Sequence, residues 1–156
     1  MAGSEKRGSD AWNADLFRGR PFFLTGCDGV AEEVQQLAVS LAGSIGADAV
    51  PVDAVEHDTL IGVSIHAPHV LAYALKQVFG GSAAKNNHAA LFAGPSYAST
   101  TRVTASDPGM VAQMLWHNRE NTLAALTLFR ERMADIEKAL RGDDSSDMMA
   151  VLTRDI

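Results

Sequence analysis

The feature that most constrains the fold is a long stretch without a helix breaker. Between Gly109 and Gly142 the sequence contains neither glycine nor proline. Asp107 followed by Pro108 is typical of a helix start, an N-cap before a first-turn proline. The stretch from Pro108 to Arg141, about 34 residues, therefore predicts one helix roughly 50 Å long.

Apolar residues recur along this stretch at alternating spacings of four and three, the pattern of a coiled-coil seam. The seam residues are Thr122, Leu126, Phe129, Met133, Ile136 and Leu140. A helix this long does not fit inside a chain of 156 residues unless it packs along its length. We expect a homodimer through this helix, Pro108 to Arg141. Packing within the chain explains the seam about equally well.

The first third of the sequence reads as a β-α-β unit. Strands are predicted at Pro21 to Thr25 and at Asp48 to Asp53, and a helix between them from Val30 to Ile45. Apolar residues on one face of that helix are Val34, Leu37, Ala38, Leu41 and Ile45. Two strands and one helix cannot bury both sheet faces, so we expect this unit to be the edge of a larger sheet.

The remainder reads as mainly α. A helical segment is predicted from Val55 to Phe79, ended by Gly80-Gly81, followed by a short helix over 87–92. The Gly/Ser/Thr-rich stretch 93–106 reads as a loop, and one short capped helix is expected near the C-terminus.

Composition excludes several function classes. The net charge of -6 and pI of about 5.2 argue against a nucleic-acid partner, which requires a basic surface. No apolar run approaches the length of a membrane span, and the first ten residues lack the apolar core of a signal peptide, so we expect a cytoplasmic protein without a membrane partner. The single cysteine, Cys27, has no partner for a disulfide or a zinc cluster.

The sequence SIHAPH places two histidines in an otherwise apolar helical run. His66 and His69 lie on one helix face near Ser64, and Pro68 lacks the N–H that would bond the Ser64 carbonyl. We expect a kink that opens a polar notch. The histidines are then hydrogen-bonded core residues, metal ligands together with His57, or parts of a substrate site. The spacing of nine from His57 to His66 does not return to one helix face, so no metal site is predicted.

Arg102 favours the substrate site. It follows a run of small polar residues, and no acidic residue occurs between Asp58 and Asp107. A planar guanidinium without a nearby acid suits a ligand carboxylate. The alternatives are a solvent-facing arginine and one paired to a distant acid.

Four segments, in order, resemble the prephenate and arogenate dehydrogenases. They are VEHDTLIGVSIHAPHVLAYAL (55–75), TTRVTASDPGM (100–110), NRENTLAAL (118–126), and AGSEKRG together with ADLFRGRPFFLT near the start. The resemblance runs from Ala2 to about Leu140. It implies a mainly α dimerisation domain of the prephenate dehydrogenase type (54–156), preceded by the C-terminal remnant of a Rossmann-like nucleotide-binding domain (1–53).

The resemblance also implies a reaction, oxidative decarboxylation of prephenate or arogenate on the way to tyrosine, with NAD or NADP accepting the hydride. Arg102 matches the arginine that binds a substrate carboxylate, and His66 and His69 match histidines lining the substrate pocket. Ser4 and Glu5 match a hydroxyl and a carboxylate near the site, and Ser64 lies beside the histidines.

The departures from the family pattern limit what this chain can do alone. The family's histidine that bonds the substrate's ring hydroxyl is expected two residues before Met1, so no catalytic residue is assigned here. The sequence contains no G-x-G-x-x-G dinucleotide fingerprint. Ser99 replaces an acid before T-T-R, and Val111 stands where an aromatic residue is common. We expect little or no dehydrogenase activity from the chain alone. The alternative function is a non-enzymatic helical dimer that binds an aromatic acid or a full-length partner.

Overall fold

The computed structural model describes residues 8–84 and 88–154 of the chain. Within them, two short parallel strands precede a series of helices. The strands and α-helices in chain order are β1 (Pro21–Leu24), α1 (Glu32–Ser44), β2 (Asp48–Pro51), α2 (Ala54–Ile61), α3 (Ala67–Ala83), α4 (Pro95–Thr101), α5 (Pro108–His117), α6 (Arg119–Leu140) and α7 (Ser145–Leu152). A π-helical turn, Gly62–His66, joins α2 to α3. The mainly α class with a β-α-β remnant is confirmed.

The β-α-β unit has the predicted order. β1 pairs with β2 in parallel, in a register that places Pro21 opposite Asp48 and Leu24 opposite Pro51. Gly46 ends the turn after α1 in the left-handed region, with φ of 75°, and its carbonyl accepts a hydrogen bond from the Gly19 N–H. Glycine adopts this conformation without the steric cost that other residues meet.

The apolar face predicted on α1 is largely uncovered. Ala42 is buried, and α1 contacts β2. Val34, Leu37 and Leu41 nevertheless expose 55%, 69% and 65% of their surface. The spacing predicted the face correctly, but the described residues supply only two strands for it to cover.

The prediction of a single helix from Pro108 to Arg141 was wrong. α5 ends at His117 and α6 begins at Arg119, because Asn118 has a non-helical backbone with φ of -118° and ψ of 37°. Neither glycine nor proline causes this break, so the breaker pattern could not reveal it. The Asp107 N-cap is confirmed, since its carboxylate accepts a hydrogen bond from the Met110 N–H.

The end of α3 lies beyond the predicted position. α3 runs through Gly80-Gly81 to Ala83, and near its end the Phe79 ring packs 4.4 Å from the ring of Tyr97. The two glycines, which cost a helix about 1 kcal/mol each, do not end α3 here.

The stretch 93–106, predicted to be a loop, is instead helical: α4 and a 3₁₀ turn, Arg102–Ala105. Pro95 stands at the first helical position of α4, and the hydroxyls of Thr100 and Thr101 bond the carbonyls of Ser96 and Tyr97 one turn earlier.

Other helical predictions hold more closely. The segment from Val55 to Phe79 is helical throughout, with the π-helical turn inside it. The helix expected over 87–92 is a 3₁₀ turn, Ala89–Phe92, and residue 87 lies outside the described residues. The short capped helix near the C-terminus is α7, and the Asp144 carboxylate caps it by accepting from the Ser146 N–H. Within the described residues, no helix is both long and apolar enough to cross a membrane.

The chain leaves much apolar surface open. Its accessible surface is 11629 Å², whereas a compact monomer of 16.6 kDa exposes about 7,600 Å². The buried apolar residues are small, and most are alanines that let helices approach closely. On α6, Leu123, Leu128 and Leu140 expose 62%, 56% and 70% of their surface. A surface of this kind is typical of a subunit that packs against another body.

Candidate functional site

The irregularity predicted at Pro68 appears as the π-helical turn Gly62–His66. The N–H of Ala67 bonds the carbonyl of Gly62, five residues earlier, instead of the usual four. Pro68 occupies the first turn of α3, where its missing N–H costs little. Single π-turns within helices often occur at functional sites. This turn presents Ser64, His66 and the nearby His69 from one helical segment.

His66 is buried against α6. It exposes 3% of its surface, and its Nδ1 lies 3.1 Å from the Thr122 hydroxyl. The Asn118 side-chain nitrogen is 3.4 Å from the same Nδ1 and donates a hydrogen bond of 2.8 Å to the Asp58 carbonyl. Burial lowers the pKa of His66 from its ordinary 6.5, and His69 lowers it further, while Asp58 opposes the shift. His66 is therefore a neutral imidazole at pH 7.

His69 is half-buried and has a different partner. Its Nδ1 lies 2.8 Å from the Ile65 carbonyl, one turn earlier. A carbonyl can only accept a hydrogen bond, so Nδ1 carries the hydrogen and Nε2 is left with its lone pair when the ring is neutral. The Ser64 hydroxyl instead donates to the Leu60 carbonyl at 2.7 Å. The two imidazoles thus lie on one continuous helical segment, three residues apart. The Ser64 hydroxyl is used in a hydrogen bond within that segment.

Asn118 is the junction between the π-turn and α6. Its carbonyl accepts hydrogen bonds from the Thr122 N–H at 3.0 Å and from the Thr122 hydroxyl at 2.8 Å. Its side-chain oxygen accepts from the Asn121 amide at 2.8 Å. Asn118 was not predicted as a site residue from the sequence, and Thr122 was predicted only as a packing position of the seam. The only available signal was an asparagine, a common capping residue, inside a predicted helix.

Gly62 allows this junction to form. A Cβ at this position would meet the Asn121 Cβ at 3.0 Å and the Asn121 backbone at 3.1 Å. Gly62 is buried in the contact between the π-turn and α6. Glycine therefore lets the π-turn and α6 approach more closely than a residue with a Cβ would allow without a shift of Asn121.

Arg102 lies at the start of the 3₁₀ turn Arg102–Ala105, directly after α4, and is exposed. This turn packs on α3, the helix that follows His66 directly and contains His69. The Lys76 ammonium on α3 donates a 3.1 Å hydrogen bond to the Thr104 hydroxyl. The fold therefore places Arg102 on the segment that lines α3. Ser4 and Glu5, the other predicted site residues, lie outside the described residues.

A largely apolar cavity of roughly 400 Å³ lies between the strands and the π-turn. Phe23 and Val52 line it from the β-α-β unit, and His57 and Ser64 line it from the helical side. The His57 ring stands edge-on to Phe23 with ring centres 5.7 Å apart, and its Nδ1 is 2.9 Å from the Asp58 carboxylate. Among the described residues, no three His, Cys, Asp or Glu side chains are grouped to hold a metal ion.

Comparison with known proteins assigns most of the chain to one family. Residues 53–154 match the family described as "Prephenate dehydrogenase, dimerization domain". The chain is 29% identical over 150 residues to cyclohexadienyl dehydrogenase of Zymomonas mobilis, covering 94% of this chain and 50% of that protein. It is 31% identical to prephenate dehydrogenase of Lactococcus lactis, covering 93% of this chain and 39% of that protein. The chain thus spans half or less of these relatives.

Solved structures show the same fold. Prephenate dehydrogenase from Aquifex aeolicus, in complex with hydroxyphenyl propionate and NAD+, superposes with a TM-score of 0.79 at 25% identity, over 90% of this chain and 49% of that one. Synechocystis arogenate dehydrogenase superposes with a TM-score of 0.81 at 21% identity, over 98% of this chain and 56% of that one.

Proposed function

Because the chain belongs to the prephenate dehydrogenase family through its dimerization domain, we propose that it supplies the substrate-binding and dimerising part of an NAD(P)-dependent prephenate or arogenate dehydrogenase. The observation that carries this proposal is that the imidazole-bearing π-turn leads directly into α3, and the 3₁₀ turn that begins at Arg102 packs on the same helix. An aromatic precursor with carboxylates and a ring hydroxyl offers matching groups to both.

The proposed chemical roles follow from the chemistry of the side chains. Arg102 offers a planar fork of donors and is always charged, so it binds a substrate carboxylate and holds the ring in place. The neutral imidazole of His69 offers a lone pair at Nε2, which accepts a hydrogen bond from a hydroxyl or amino group. His66 contributes from the buried side of the same turn. Ser64, Ser4 and Glu5 complete the proposed set of substrate-site residues.

The described residues do not fit a dinucleotide cofactor. The one helix that follows a strand in the β-α-β unit, α1, has Glu32 and Glu33 in its first turn. Carboxylates at a helix N-terminus repel a pyrophosphate, and the sequence lacks the glycine fingerprint that would approach it. We therefore assign NAD or NADP binding outside this chain's own residues. Residues 1–53 would belong to the nucleotide-binding domain and 54–156 to the substrate domain, a boundary in keeping with the family match from residue 53.

The exposed apolar surface of α6 supports the homodimer. Leu123, Leu128 and Phe129 stay open along the helix, and Leu128 and Phe129 border an apolar groove between α6 and α3. The open surface exceeds that of a compact monomer by about 4,000 Å², and the exposed faces of both α1 and α6 contribute to this excess. A second copy of the chain, packed through α5 and α6, is the occupant we propose.

Binding and turnover measurements on the purified chain test the proposal. Calorimetric titration should detect hydroxyphenyl propionate but not NAD+ or NADP+, and mixtures with prephenate or arogenate should form no reduced cofactor. Normal turnover would contradict the assignment of the cofactor to another part of the protein. Absence of hydroxyphenyl propionate binding by a folded dimer would contradict the substrate-binding role.

A further inference from the structure

The hydrogen-bond network beneath His66 determines which ring nitrogen carries its hydrogen. The Thr122 hydroxyl lies 2.8 Å from the Asn118 carbonyl, and that carbonyl can only accept. The Thr122 hydroxyl therefore donates its hydrogen to the Asn118 carbonyl. The Thr122 oxygen can then only accept a hydrogen bond from His66. His66 Nδ1, at 3.1 Å, is the group positioned to donate to it.

Asn118 has a fixed orientation in this network. Its side-chain nitrogen donates to the Asp58 carbonyl at 2.8 Å, and its side-chain oxygen accepts from Asn121 at 2.8 Å. Exchanging the amide nitrogen and oxygen would lose both bonds. The Asn118 atom nearest His66 Nδ1, at 3.4 Å, is therefore the amide nitrogen. This nitrogen is a donor only, so it cannot accept a hydrogen from Nδ1.

The competing arrangement makes fewer good bonds. If Nε2 carried the hydrogen, Nδ1 would accept from the Thr122 hydroxyl, which would then abandon the shorter bond to the Asn118 carbonyl. The only addition would be a contact of 3.4 Å from the Asn118 amide, near the limit for a hydrogen bond. The Asn118 carbonyl would then keep only the 3.0 Å bond from the Thr122 N–H, so the competing arrangement exchanges a short hydrogen bond for a marginal one.

We propose that Asn118 and Thr122 are positioning residues that fix the tautomer of the neutral His66 ring, with its hydrogen on Nδ1 and its lone pair on Nε2. When its ring is neutral, His69 has the same tautomer, because its Nδ1 donates to the Ile65 carbonyl. His66 exposes only 3% of its surface, so a ligand reaches its Nε2 only at the edge of the contact between the π-turn and α6. The π-turn thus presents two acceptor nitrogens of the same kind.

This inference deepens the proposed function and rests on it for the ligand. The Nε2 lone pairs of His66 and His69 can accept hydrogen bonds from a hydroxyl or amino group of a substrate. Arg102 remains the proposed partner of a substrate carboxylate. Asn118 and Thr122 touch neither the ligand nor the reacting atoms in this account. They act through His66, from the same helix that carries the exposed apolar surface.

Nitrogen NMR of histidine side chains in the uniformly ¹⁵N-labelled chain tests the tautomers directly. At neutral pH, long-range proton–nitrogen correlations should show His66 and His69 each with a protonated Nδ1 and an unprotonated Nε2. Free histidine favours the opposite tautomer, so the expected pattern is diagnostic. Finding His66 with its hydrogen on Nε2 in the wild-type chain would overturn the proposal.

Three variants separate positioning from folding. Thr122→Val removes the acceptor and should shift His66 toward the Nε2–H form, whereas Thr122→Ser should retain the wild-type pattern. Thr127→Val is the matched control, because Thr127 makes the same backbone bond, to Leu123, without a histidine nearby. An unchanged His66 tautomer in folded Thr122→Val would also overturn the proposal. If that variant does not fold, the wild-type measurement decides alone.

A ligand readout keeps this test distinct from that of the proposed function. Hydroxyphenyl propionate should bind about fivefold more weakly to Thr122→Val than to Thr127→Val, the effect of about one misplaced hydrogen bond. The tautomer measurement needs no ligand. A chain with the expected tautomers that binds no ligand would refute the proposed function and leave the positioning roles standing.

Discussion

Replacing Gly62 by alanine should destabilise the chain, although alanine is the better helix former. The added Cβ would lie 3.0 Å from the Asn121 Cβ and 3.1 Å from the Asn121 backbone carbon and oxygen. Backbone atoms cannot move aside as a side chain can, so α6 must shift away from the π-turn. Overpacking of this kind costs about 1–3 kcal/mol, and the gain in helix propensity offsets about 1 kcal/mol of it. We expect a net loss of up to about 2 kcal/mol.

Gly80→Ala provides the matched control. Gly80 lies within α3, and a Cβ there would meet nothing within 4 Å. The same chemical change should therefore stabilise the chain by about 0.5–1 kcal/mol through helix propensity alone. The two variants are expected to change stability in opposite directions.

Urea denaturation followed by circular dichroism measures both changes. All samples must share one protein concentration, because the stability of a dimer depends on it. Gly62→Ala should lower the urea midpoint and Gly80→Ala should raise it, with equal slopes. If Gly62→Ala were as stable as Gly80→Ala, the close approach of the π-turn to α6 would be refuted.

Three further predictions concern other parts of the structure. Because the pKa of His66 is lowered below the unfolded value of 6.5, the unfolded chain takes up the proton first. Thermal stability should thus fall as pH drops below about 6.5, and less steeply in His66→Gln; equal pH profiles would contradict this. Leu128→Asp should weaken the dimer at least tenfold by sedimentation equilibrium, whereas Leu37→Asp should not; equal effects would refute an α6 interface. Asp53→Ala should cost about 1 kcal/mol in urea denaturation, because the Asp53 carboxylate caps α2; an unchanged midpoint would contradict that role.

The sequence predicted the elements whose signals are local. The strands, α1 and the capped start of α5 follow from alternation, apolar spacing and the Asp107-Pro108 pair. The break at Asn118 could not be predicted this way, because it depends on bonds to Asp58, a residue 60 positions away. Tertiary contacts also outweighed the local signal at Gly80-Gly81, where α3 continues.

Only the local features of the candidate site could be predicted from the sequence. Pro68 and the histidine spacing indicated an irregular helix with a polar notch, and the structure has a π-turn there. The partners of each ring were not predictable. His66 bonds Thr122, which the seam pattern identified only as a packing position, and His69 bonds the carbonyl of Ile65.

The most direct test of the account is to locate hydroxyphenyl propionate on the chain. Titration of the labelled protein, followed by backbone amide NMR, should shift resonances around His69 and Arg102. Arg102→Gln should weaken binding at least tenfold, whereas Arg130→Gln, which removes an exposed arginine of α6, should leave the affinity unchanged. Shifts confined to other parts of the chain, or equal affinities of the two variants, would contradict the substrate site proposed here.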